Sequence, residues 1–115
     1  MKVEDLALRI DARLHLSAGS TCLEVGQVYA ADTMSDLIAH AAPDTLLVTS
    51  LNNQQLIRVA ELMDVPGICL VGADPGVDVL SRARATGTAI LVSGTGLDET
   101  CLRLRTLCGL KVTRA

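Results

Sequence analysis

The sequence predicts an α/β fold, a single domain spanning residues 1–115 in which a mainly parallel sheet is flanked by helices. The first observation behind this is rhythm: from residue 45 onward TLLVTS, GICLVGA and TAILVSG alternate with NNQQLIRVAELMD, DPGVDVLSRARATG and LDETCLRLRTLCG. Short, continuous aliphatic runs suit parallel strands covered on both faces, and apolar residues spaced by three or four suit the intervening helices. The second is composition. Half of the 115 residues are apolar, yet Phe and Trp are absent and Tyr29 is the one aromatic residue, so the core must be built from Leu, Val, Ile and Ala. A chain of this length can bury roughly two-thirds of its unfolded surface, enough for one core without staples.

In chain order, Val3 to Ile10 places apolar residues at Val3, Leu6, Leu8 and Ile10 behind an early acidic pair, which predicts a short first helix ending near Asp11. Residues 13–16, RLHL, alternate as a short peripheral strand, and SAGST supplies a turn. The organising stretch follows. Residues 24–42, EVGQVYAADTMSDLIAHAA, read as a buried strand delivered into a helix through Asp32-Thr33. The second long helix carries a stripe of Leu56, Val59, Ala60 and Met63, with Asn52 placed to cap it. Pro75 fits a first-turn position, and Gly87 follows the next helix as a C-terminal stop. The last helix, Leu97 to Leu107, closes the core with Leu97, Cys101, Leu104 and Cys108. Because parallel crossovers are right-handed, Tyr29 to Val92 should form one parallel sheet in which Leu47, Val48, Ile68, Leu70, Ile90 and Leu91 are buried.

Ten basic and thirteen acidic residues, with no dense Lys/Arg cluster, argue against nucleic acid as a partner. Neither a signal-peptide core nor a membrane-length apolar run is present, and a cytoplasmic protein without a membrane partner is expected. Cys22, Cys69, Cys101 and Cys108 fall at no metal-site spacing, and neither His15 nor His40 lies beside them. Reduced, mostly buried thiols are expected, with Cys22 the exposed one. No nucleophile, base and metal constellation is assembled, so the expectation is no enzyme, no catalytic residue, no metal and no cofactor.

Parallel sheets present ligands at the carboxyl ends of their strands, which draws attention to residues 31–34, 49–53, 72–76 and 93–96. Gly94 and Gly96 bracket a turn before a helix where backbone N–H groups can approach a phosphate, although the third glycine and the lysine of phosphate loops are missing and an ordinary turn is the simpler reading. Asp32, Ser35 and Asn53 complete the ligand-binding candidates; for Asp32, capping of the following helix stands equally as an explanation. Tyr29, Gln54 and Gln55 are the interface candidates: a lone tyrosine among alanines suits a contact centre, or else it packs under the first helix of its own chain.

The order of elements and several of its words resemble a stand-alone DRTGG domain. The family's Gly-x-Tyr-x-x-Asp-Leu-Leu-Ser-x-Val-Met stretch is similar to the segment holding Tyr29, Asp32 and Ser35, with Met34, Leu37 and Ile38 as apolar equivalents and His40-Ala41 resembling the continuation. Residues 48–73, VTSLNNQQLIRVAELMDVPGICLVGA, resemble the family's second strand, helix and third strand. Thr33 stands where leucine is usual, the naming motif is degenerate between Cys22 and Val28, and Gly26 lies one residue early. DRTGG domains resemble the amino-terminal domain of HPr kinase and accompany CBS domains in pyrophosphatases, and also phosphotransacetylases. The resemblance implies a non-catalytic regulatory or protein-interaction domain that forms a homodimer or meets another protein partner. Two alternatives stand beside it: a small protein binding an adenine nucleotide through its strand-end loops, and an accessory of hydrogenase or iron-sulfur systems, as some stand-alone relatives are labelled.

Overall fold

In the computed structural model, which describes residues 1–16 and 23–115, the elements run α1 (Val3–Arg9), β1 (Arg13–His15), β2 (Gln27–Ala30), α2 (Met34–His40), β3 (Thr45–Thr49) and α3 (Gln54–Leu62). They continue as β4 (Gly67–Val71), α4 (Val77–Thr86), β5 (Ala89–Ser93), α5 (Leu97–Cys108) and β6 (Lys111–Arg114). The expected α/β architecture is present. One six-stranded sheet has the order β1-β5-β4-β3-β2-β6, parallel throughout except for the antiparallel edge β1. The SAGST turn and the exposure expected of Cys22 lie outside the described residues.

Strand side chains alternate between two apolar layers, as a two-fold pleat requires. Val28, Leu46, Val48, Cys69 and Leu91 face α1 and α5, whereas Tyr29, Leu47, Ile68, Leu70 and Ile90 face α2, α3 and α4. All six strand residues expected in the core are at most 2% exposed. Gly67 lets two central strands approach closely: a Cβ there would lie 3.2 Å from the Ala89 carbonyl oxygen and 3.4 Å from the Ala89 Cβ. Burial pushes the Cys69 thiol up to about 12, so Cys69 is a core residue in chemistry as well as position.

Several local expectations are corrected. Asn53, not Asn52, caps α3: its side chain accepts the Leu56 N–H at 3.0 Å, because Thr49 Oγ1 accepts the Leu51 N–H and the turn consumes one more residue before the helix begins. Thr33, not Asp32, caps α2, accepting from the Asp36 N–H and donating to the Asp36 carboxylate at 2.7 Å. Pro75 precedes the Gly76 cap of α4 instead of occupying its first turn. The buried stripe of α3 is Leu56, Ile57 and Ala60, while Met63 is 41% exposed beyond the helix end. The sequence reading missed β6 entirely. KVTR offers a single aliphatic residue and is mostly exposed; parallel main-chain pairing with β2, from Gln27↔Lys111 to Ala30↔Arg114, makes it a strand.

Candidate functional site at the strand ends

The topology singles out one place on the sheet. β4 feeds α4, which carries the chain to the adjacent β5 across the face shared with α2 and α3. β5 feeds α5, which crosses the opposite face to reach β6 at the far edge. The connections leaving β4 and β5 therefore diverge to opposite faces, and open α/β sheets bind ligands in the crevice that such a divergence creates. A cleft of about 470 Å³ lies there. Gly72, Ala73 and Asp74 form one wall, Ser93, Gly94, Thr95 and Gly96 the other, and Asp11 and Arg13 the rim.

The β5 wall is built by a buried hydroxyl cluster. Ser93 Oγ and Thr100 Oγ1 lie 2.7 Å apart, Thr95 Oγ1 joins them at 3.0 and 2.9 Å, and Thr100 is fully buried. These contacts fold the loop back onto α5, leaving Gly94 and Gly96 exposed with open space where a Cβ would stand. Bare backbone here faces the cleft from the start of a 12-residue helix. Of the sequence candidates, Gly94 and Gly96 alone line this cleft.

Asp32 and Ser35 are elsewhere, at the end of β2, three strands from β5 in the sheet order and about 14 Å away at the usual strand spacing. The Asp32 carboxylate accepts the Ser50 N–H at 2.9 Å and the Ser50 hydroxyl at 2.7 Å, so it ties the end of β2 to the end of β3. Those hydrogen bonds, foremost the one from the Ser50 side chain, hold its carboxyl below the usual range. Ser35 is exposed on α2. A depressed folded-state value gives stability that is present above the unfolded value of about 3.9 and lost as pH falls through the folded one. We expect the stability gap between wild type and Asp32→Asn to narrow below about pH 4 in urea titrations; a gap independent of pH would contradict the ionic role.

Asn53, Gln54 and Gln55 line a second, shallower groove of about 590 Å³ between the starts of α3 and α4, opposite Gly76, Val77 and Asp78. Both glutamines and Val77 are exposed there, Val77 by 80%. Tyr29 is only 4% exposed and does not pack under α1; its ring stacks on His40 of α2, with centroids 3.9 Å apart and planes 8° from parallel. Among the described residues no group of three His, Cys, Asp or Glu side chains is placed to hold a metal, and no helix is long and apolar enough to cross a membrane.

No family model matches the chain, and no curated protein matches it. A solved structure does: the CBS and DRTGG domains of the regulatory region of a Clostridium perfringens pyrophosphatase, complexed with the activator diadenosine tetraphosphate. The TM-score is 0.63, over 92% of this chain and 47% of that one. The fold is DRTGG-like. At 8% identity the likeness is one of fold, and this chain spans about half the length of that protein chain.

Two rim residues of the DRTGG-like cleft, Asp11 and Arg13, escaped the sequence reading as site candidates, and Asp74 was covered only as part of the 72–76 loop. Nothing local marks Arg13, which sits in a three-residue strand far along the chain from the strand-end loops that form the cleft walls. Knowledge that β1 is the antiparallel neighbour of β5 would have placed it, since Arg13 pairs with Val92 at the carboxyl end of that strand.

Proposed function

We propose that the chain is a regulatory module that acts by binding, without chemistry of its own, and that its ligand is an adenine nucleotide held in the cleft between β4 and β5. The observation that carries this is the 470 Å³ crevice at the point where the sheet connections diverge, floored by unobstructed glycine backbone. The fold likeness to an activator-bound regulatory region supports the same reading.

Calorimetric titration with ATP and with diadenosine tetraphosphate tests it, using Gly96→Asp as the control. Gly96 caps α5 with an ordinary φ of −73° and has open space around it, so aspartate is accommodated and caps the helix while placing a negative charge in the cleft. The expected result is submillimolar binding by wild type that falls at least about tenfold in a variant of undiminished stability. Binding by neither nucleotide, or equal binding by both proteins, sinks the proposal.

A regulatory module must also report its state, and self-association is the commonest closed assembly available to it. We place that contact at the α3–α4 groove, where Gln54 and Gln55 present uncharged donors and acceptors beside exposed Val77. Tyr29, buried against α2, is left out. Sedimentation equilibrium should give a dimer that Val77→Arg dissociates without unfolding; a 12.1 kDa monomer at micromolar concentration would exclude it.

A further inference from the structure

The charged residues lining the cleft are Asp11, Arg13 and Asp74, so the described lining holds one cation between two carboxylates. Arg13 stands on β1 opposite Val92 of β5, and its guanidinium pairs with the carboxylate of Asp74 in the loop after β4. The pair thus spans the mouth from one wall to the other. Both partners are well exposed, 63% and 71% by side chain, and ion pairs in such surroundings are weakly held. A planar guanidinium fork matches a phosphate as well as it matches a carboxylate.

Asp74 is connected onward. Its main-chain oxygen accepts the Asn52 side-chain N–H at 2.8 Å, and the next residue, Asn53, caps α3 at the edge of the second groove. Gly72, with a φ of 88°, begins the same loop in a conformation that suits glycine.

We propose that Arg13 is the phosphate-binding side chain of the cleft, held in reserve by Asp74, and that a polyphosphate ligand displaces Asp74 from it. The released 72–76 loop then acts through Asn52 on the start of α3, so that occupancy of the cleft is felt at the α3–α4 groove. This rests on the nucleotide reading above and adds to it a partner exchange with an opposite effect for its two members. Removing Arg13 weakens binding, whereas removing the Asp74 charge strengthens it by abolishing the competitor.

Titration of wild type, Arg13→Gln and Asp74→Asn with sodium tripolyphosphate and with ATP at low salt tests the exchange. Arg13→Gln should lose about tenfold or more in affinity, as expected for a charge-assisted contact, and Asp74→Asn should gain several-fold. Weaker binding in both variants, or no change in Arg13→Gln, overturns the reserve role while leaving the cleft reading standing if Gly96→Asp still weakens ATP binding as stated above. ATP binding by wild type without any tripolyphosphate binding also overturns the reserve role alone; failure of wild type to bind either probe removes both proposals. Amide shifts of Gln54 and Gln55 should follow the titration in wild type and not in Asn52→Ala, and shifts that persist in that variant overturn the transmission step.

Discussion

Replacing Leu70 by alanine should cost about 2 to 5 kcal/mol of folding stability. Leu70 is 2% exposed in β4, with Thr49 of β3 on one side and Val92 of β5 on the other, and it faces the layer formed with α2, α3 and α4. A central parallel strand has no freedom to collapse into the space left behind, so the lost transfer energy and the cavity add. Against a total of about 5 to 15 kcal/mol for a domain, such a loss is large. Urea denaturation should show a lowered midpoint with an unchanged slope; a loss below about half a kcal/mol would mean that the site relaxes far more than a packed core allows.

The second large effect is expected at Thr100. Valine has nearly the same shape, so Thr100→Val keeps the packing at the start of α5 and deletes only the hydroxyl that Ser93 Oγ and Thr95 Oγ1 approach. Loss of a buried hydrogen-bonding partner costs about 1 to 3 kcal/mol. The consequence extends past stability, because this cluster shapes the Gly94–Gly96 wall: nucleotide affinity should fall together with the denaturation midpoint, whereas Leu70→Ala should leave affinity nearly intact in whatever fraction remains folded. Unchanged stability and affinity in Thr100→Val would show that Ser93 and Thr95 hold the loop without it.

The parallel strands were legible because residues covered on both faces must be aliphatic throughout, and TLLVT, GICLV and AILVS have few other interpretations. Helix starts were less legible. Asn52 and Asn53 are chemically equivalent as caps, and the Thr49–Leu51 turn together with the tertiary bond from Asn52 to Asp74 separates their roles. At the site, the four strand-end loops were readable from the alternation of elements, but choosing among them needed the strand order. That order depends on β6 returning to β2, and β6 carries almost no apolar signal. The carboxylate Asp32 drew attention as a ligand group, yet its Oδ1 accepts both the N–H and the hydroxyl of Ser50 and so serves to join two strand ends.

The close approach at Gly67 bears on how the chain avoids misalignment. In a half-exposed sheet, a slip of one residue would carry apolar side chains into water, and that penalty fixes the alignment. Here the penalty is weak, since both faces of β3, β4 and β5 are buried and a slipped strand would exchange one apolar layer for the other. Shape must do what polarity does not. The absence of a side chain at Gly67 matches the Ala89 backbone at one position only, and moving β4 by one residue toward its carboxyl end would bring the preceding residue, Pro66, to face Ala89. Proline has no N–H to give to a ladder. The Pro66-Gly67 pair is therefore an alignment key, cut so that β4 fits beside β5 in a single position.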